Sequence, residues 1–136
     1  SFIGSKAPQA LLRAAESDVA EVRVAAISAL GDQIQTLGDT DAQKKVFEAL
    51  EDTSPDVRAE AVTLIGKSCD AEDVQELLIK RLADSDSQVR KNSAMALMKL
   101  EAKGTINALS TAAQSESDKD VQAVINVAIK ILSNKE

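Results

Sequence analysis

In "DVRAEAVTLIG", Asp56 to Gly66, the apolar residues fall at steps 0, 4, 5, 7 and 8 from the first valine: Val57, Ala61, Val62, Leu64 and Ile65. Steps of three and four put them on one face of a 3.6-residue helix, not on alternate faces of a strand. Near-copies recur as "EVRVAAISALG", "QVRKNSAMALM" and "DVQAVINVAIK". Their valines, Val22, Val57, Val89 and Val121, are spaced 35, 32 and 32 residues apart. Aligning on them needs no gap over 22 residues, giving "ALLRAAESDVAEVRVAAISALG", "KVFEALEDTSPDVRAEAVTLIG", "LLIKRLADSDSQVRKNSAMALM" and "LSTAAQSESDKDVQAVINVAIK". Columns keep their chemistry. The residue after the valine is Arg23, Arg58, Arg90 and then Gln122, and eight past it stand Leu30, Ile65, Leu97 and Ile129.

Each copy divides into two helices. "SPD" opens the second one: Ser54 is a capping residue, Pro55 suits the first helical position, and Asp56 favours the positive end of the dipole. Asp86 and Asp118 share the column of Ser54; copy one has Val19 there, which leaves the cap to Asp18 or Ser17. Gly31 and Gly66 are read as the stops of the first two such helices. The first helix of each copy carries Leu11-Leu12, Val46-Phe47, Leu78-Ile79 and the weaker Ser110-Thr111. A lone hairpin has nothing to bury these faces against, so the repeat predicts hairpins stacked on neighbours, an α-solenoid. The repeats run over about 8–38, 41–68, 71–101 and 104–134 of a single domain, 1–136.

"SPDVRAEAVTLIG" and "SDSQVRKNSAMALMKL" resemble the HEAT-like repeat of the bilin-lyase type, whose signature is roughly Asp-x-x-Val-Arg-x-x-Ala-x-x-Ala-Leu-Gly. The resemblance spans residues 10–132 and departs in copy four, where Gln122, Ile125, Asn126 and Lys130 replace signature residues. It implies a right-handed α-solenoid of four helical hairpins, about eight helices. The motif is a structural one. Bilin lyase subunits, phycobilisome-degradation factors, iron-cluster assembly helpers and plain scaffolds share it, so the fold does not fix an activity.

Composition narrows the functions. The chain is 44% hydrophobic, yet Phe2 and Phe47 are its only aromatics and it has no His. Its core must therefore come from Ala, Val, Leu and Ile. A net charge of −6, with basic residues clustered no further than pairs such as Lys44-Lys45, repels phosphate backbones, and no aromatic row offers base stacking. Nucleic acid is not expected as a partner. No apolar run spans a membrane, and "SFIGSKAP" lacks the pattern of a signal peptide and a starting Met, as a processed or excised piece would. Cys69 stands alone, which fits a reduced thiol in the cytoplasm and gives neither a disulfide nor a metal site. Acyl-transfer triads are excluded, and the carboxylate pairs Glu72-Asp73 and Asp39/Asp41 read as solvated. No catalytic, cofactor-binding or metal-ligating residue is assigned.

Two sets of residues invite a role. Arg23, Arg58 and Arg90 sit near helix starts, where a cation opposes the dipole, so each wants an acceptor. Asp52, Asp84, Asp86 and Asp118 recur in the turns, and an inter-repeat ladder of arginine forks and carboxylates is the expectation. The second helices present Ser28 and Asp32, then Glu60, Thr63 and Lys67, then Asn92, Met95 and Lys99, as a candidate partner surface. On copy four that surface continues through Val124, Val127 and Ile131, in a helix apolar nearly all round that looks unfinished as an end cap. Contact with another repeat, a second copy or a partner is expected there, with Phe2-Ile3 in a like role at the other end. The favoured function is a non-enzymatic scaffold that binds another protein through the second-helix face or the C-terminal apolar face. The alternative is a subunit or fragment of a bilin lyase or other chromophore-handling factor, active only within a heteromer.

Overall fold

A computed structural model describes residues 7–38 and 40–134, residues 36 and 37 through their backbone only. Phe2, Ile3 and Asp39 lie outside the described residues. Every copy of the repeat folds as a helical hairpin. The first is α1 (Gln9–Ala14) with α2 (Ala20–Leu37), and the second α3 (Thr40–Glu48) with α4 (Pro55–Ser68). The third is α5 (Ala71–Arg81) with α6 (Ser87–Lys99), and the fourth α7 (Ile106–Ser115) with α8 (Lys119–Asn134). Short 3₁₀ turns at Ala49–Glu51 and Lys103–Thr105 complete an all-α fold with no strand among the described residues.

The helices sort into two compact units, one ending at Ser68 and the other beginning at Cys69. In the first, α2 packs against α1, α3 and α4. In the second, α6 packs against α5 and α8, and α8 against α7. Each unit is thus hairpin on hairpin, with the second helices in contact. Ile27 and Leu30 of α2, Val46 of α3, and Val57, Ala61 and Leu64 of α4 are buried in the first unit. Leu78 of α5, Val89 and Leu97 of α6, Leu109 of α7 and Val121, Ile125 and Leu132 of α8 are buried in the second. Full burial of one such side chain is worth about 1.5–3 kcal/mol, so a core with no fully buried aromatic among the described residues depends on many modest contributions.

Three expectations need correction. Gly31 does not stop its helix: α2 runs on to Leu37 and ends at Gly38, whose φ of 64° is the left-handed cap. Gly31 is instead a close-approach residue, since a Cβ there would lie 2.5 and 2.8 Å from the Leu64 methyls. Gly66 likewise lies inside α4, which continues to Ser68. In copy four, the first helix buries Leu109, one position before Ser110, which the valine alignment sets against Leu78. Its second helix buries Val121, Ile125, Ala128 and Leu132, leaving Gln122, Asn126, Lys130 and Ser133 exposed. That side of α8 is polar, while Val127 on another side is 51% exposed, so the helix is apolar round part of its surface only.

α6 closes on a residue that dislikes its conformation. Glu101 has φ 55°; its N–H bonds the Met98 carbonyl at 3.0 Å and that of Ala102 bonds Leu97 at 3.1 Å, the two bonds of a Schellman cap. A side chain in the left-handed region costs about 1–2 kcal/mol, part of which glycine returns through its freer unfolded state. Glu101→Gly is therefore expected to raise the unfolding free energy by about 0.5–1 kcal/mol, read from urea denaturation.

Candidate functional site

The arginine column builds a network of side-chain hydrogen bonds in each unit. In the first, Arg23 Nε donates to Asp52 Oδ2 and Nη2 to Oδ1, both at 2.9 Å, while Nη1 donates to the Ser17 carbonyl at 2.8 Å. In the second, Arg90 Nε donates to Glu116 Oε1 and Nη2 to Oε2, both at 2.9 Å, while Nη1 donates to the Asp84 carbonyl at 2.9 Å. Each guanidinium clamps its own turn with one nitrogen and grips the next hairpin's carboxylate with a bidentate fork. Arg58 clamps its turn the same way, donating from Nη1 to the Asp52 carbonyl at 2.8 Å. Copy four has no such arginine; Gln122 Nε2 donates to the Ala113 carbonyl at 3.3 Å.

The acceptors form a column of their own, five residues before each valine. Besides holding its arginine, Asp52 accepts the Ser54 N–H at 2.8 Å and Glu116 the Asp118 N–H at 3.0 Å. Asp84 accepts the Asp86 N–H at 2.9 Å, and Ser17 Oγ that of Val19 at 3.1 Å. Asp86 and Asp118, grouped with the ladder on sequence, have other work. Asp86 accepts the Gln88 and Val89 N–H groups at 3.0 and 3.2 Å; Asp118 accepts those of Asp120 and Val121 at 2.9 and 3.1 Å. Both cap helix starts. Glu116 was the acceptor missed, although its place in the column of Asp52 and Asp84 was the available signal. A second link in the first unit joins Lys45 of α3 to Glu16 in the turn before α2.

These pairs shift carboxyl pKa values. Burial acts to raise that of Asp52, but the Arg23 hydrogen bonds, the Ser54 N–H and the charges of Arg23 and Arg58 together hold it below the usual value. The Arg90 hydrogen bonds lower that of Glu116 against an opposing effect of burial. A carboxyl whose folded pKa is depressed stabilises the fold fully above its unfolded value and loses that contribution as pH falls through the folded one. Melting temperature is therefore expected to drop below about pH 5 as these two groups protonate. Asp52→Asn with Glu116→Gln should flatten that drop in melts at stepped pH.

The candidate partner residues remain in two groups. Asp32 and Lys67 are exposed and Ser28, Glu60 and Thr63 half-buried in the first unit; Lys99 and Val127 are exposed and Asn92, Met95, Val124 and Ile131 half-buried in the second. Asn92 accepts from Gln88 at 2.7 Å. Glu72, Asp73 and Asp41 are exposed in the first turns of their helices, and Cys69 is half-buried. Among the described residues no cluster of three potential metal ligands occurs, and no helix is long and apolar enough to cross a membrane.

Residues 43–130 match the family model for HEAT repeats. The chain belongs to the HEAT-repeat family. This HEAT-repeat chain is also 43% identical, over 127 residues covering 93% of it, to the bilin biosynthesis protein MpeU of Synechococcus sp. (strain WH8020). Those residues cover 43% of that relative, so the chain spans less than half its length. The resemblance carried by "SPDVRAEAVTLIG" accordingly extends to a protein named for bilin biosynthesis.

Proposed function

We propose that this HEAT-repeat chain handles a bilin chromophore, as a subunit or portion of a bilin lyase assembly working in the cytoplasm. The identity of 43% across nearly the whole chain with a bilin biosynthesis protein carries this reading. It favours the lyase alternative over a pure scaffold. The chain's own chemistry limits its share of the work: with no His and two Phe, it supplies neither a His-based acyl-transfer triad nor an aromatic cage. Its contribution is a shaped surface of small, polar and flexible side chains, including Met95, completed by other polypeptide.

Titrating a linear tetrapyrrole into the protein, alone and with the complex recovered on it from native lysate, tests the proposal. A shift of the visible band in either sample is the expected result. A recovered complex with no bilin absorbance, and no shift on titration, would return the chain to the second reading, a protein-binding scaffold. The exposure of Val127 beside half-buried Val124 and Ile131 is the observation that favours that reading.

A further inference from the structure

The helices that open the hairpins differ between the two units in one respect. In the first unit Glu16, in the turn after α1, pairs with Lys45 of α3 and spans the gap between those helices. In the second unit the same two places hold alanines. Ala83, like Glu16, stands six residues before its valine, and Ala108, like Lys45, directly precedes a fully buried residue, Leu109 as against Val46. Two methyl groups cannot bridge α5 and α7. A groove of about 340 Å³ lies between these helices instead, walled by Ile79, Leu82 and Ala83 on one side and by Ala108 and Ala112 on the other. Thr111 and Ser115 add hydroxyls to the α7 side. No charged side chain lines it, and α7 itself carries none.

Towards the turn the groove runs into a recess of about 330 Å³, lined there by Asp84, Arg90, Glu116 and Ser117. The Arg90 guanidinium is committed to Glu116 and to the Asp84 carbonyl. Two carboxylates against one guanidinium make the recess a poor place for an acid. Acceptors are at hand: the Ser115 hydroxyl donates to the Ala112 carbonyl at 3.4 Å, which leaves its oxygen able to accept. The charged side chains of α5, of the turn before α7 and of the start of α8 are of both signs and line neither part.

We infer that this groove receives one end of a linear tetrapyrrole, its rings between the alanine walls and its N–H edge turned to the Thr111 and Ser115 oxygens. The assignment rests on the bilin reading given above and names a site for it in this chain. Uncharged walls of small residues suit a flat apolar ring system, and hydroxyl acceptors suit its ring N–H donors. The propionates stay outside, away from Asp84 and Glu116. A volume of 340 Å³ stands at the small end of the roughly 300–1,000 Å³ of small-molecule sites, room for part of such a molecule. Other polypeptide covers the rest.

Biliverdin is the probe, titrated into the whole protein and followed by visible absorbance. Wild-type protein should shift the band saturably. Ala83→Glu/Ala108→Lys brings the ion pair of the first unit into the groove and should weaken binding by about tenfold or more. Its circular dichroism melt should match or exceed that of wild type, since the first unit carries the same pair. Ala112→Leu, which fills the groove without charge, should weaken binding as well. Laurate, an acid with a flexible alkyl tail, should not displace the chromophore. The assignment falls if wild-type protein alone leaves the band unmoved, if either filled variant binds as wild type does, or if laurate competes. The bilin reading outlives each of those results whenever the complex recovered from native lysate shows bilin absorbance, so the two failures are told apart.

Discussion

Arg90→Ala should cost the protein about 2–4 kcal/mol of unfolding free energy, between the loss of one charged hydrogen bond and the breaking of a fully buried pair. The reason lies in what is left behind. The Glu116 side chain is only 3% exposed, and losing the guanidinium removes both hydrogen bonds of the fork while the Asp118 N–H remains. The Asp84 and Ser85 carbonyls lose their Nη1 donor as well. Guanidinium denaturation followed by circular dichroism gives the change. Arg90→Lys should recover only part of it, because an ammonium cannot make the bidentate fork. Arg90→Ala/Glu116→Gln should be less destabilised than the sum of the single changes, since it removes the stranded charge. Additive losses would mean that the two side chains do not act as a pair.

Gly31→Ala is the second large effect, and its sign runs against helix propensity. Alanine is the better helix former by about 0.8–1 kcal/mol, so a glycine inside α2 should gain from the change. The new Cβ, however, would enter a space already held by Leu64, whose Cγ lies 3.0 Å away with both methyls nearer still. Leu64 is itself buried in α4, so the helices must part or the leucine must leave its rotamer. Overpacking of this kind costs about 1–3 kcal/mol, and a net loss is expected by thermal and chemical unfolding. Leu64→Ala opens the space. In the double variant the added methyl should cost little or nothing, giving a favourable coupling of about 1–2 kcal/mol. A Gly31→Ala protein more stable than wild type would sink the close-approach account.

The two variants separate what a repeat signature encodes. Arginine and carboxylate columns hold adjoining hairpins of a unit in register, because a fork displaced by a turn would leave a poorly solvated carboxylate. Small residues at the second-helix crossing set how closely α2 and α4 approach. Neither feature is a catalytic device. Both serve the frame, and the proposed bilin handling would use the surface that the frame leaves free.

Much of this was legible in advance. The spacing of Val22, Val57, Val89 and Val121 gave the hairpins, and Asp86 could be read as a cap from its place before an apolar-periodic run. The errors share one cause. Gly31 reads as a stop because a glycine after a periodic run usually is one, and the chain alone cannot reveal that Leu64 crosses there. Sequence puts Asp86 and Asp118 in the ladder as well as in the cap column, and leaves Glu116 out, because carboxylates two residues apart in a turn differ only in direction. On α8 the list of Val124, Val127 and Ile131 beside Val121 and Ile125 does not show that Gln122, Asn126 and Ser133 share one exposed polar side.

The sequence by itself determined the helices, their pairing into hairpins and the residue types at the joints, since these follow from local periodicity and from a pattern repeated at fixed intervals. Tertiary structure alone decided which glycine is a spacer, which carboxylate receives each guanidinium, and which valines stay uncovered. Those outcomes depend on the distance and direction between atoms far apart in the chain, and a one-dimensional pattern carries neither.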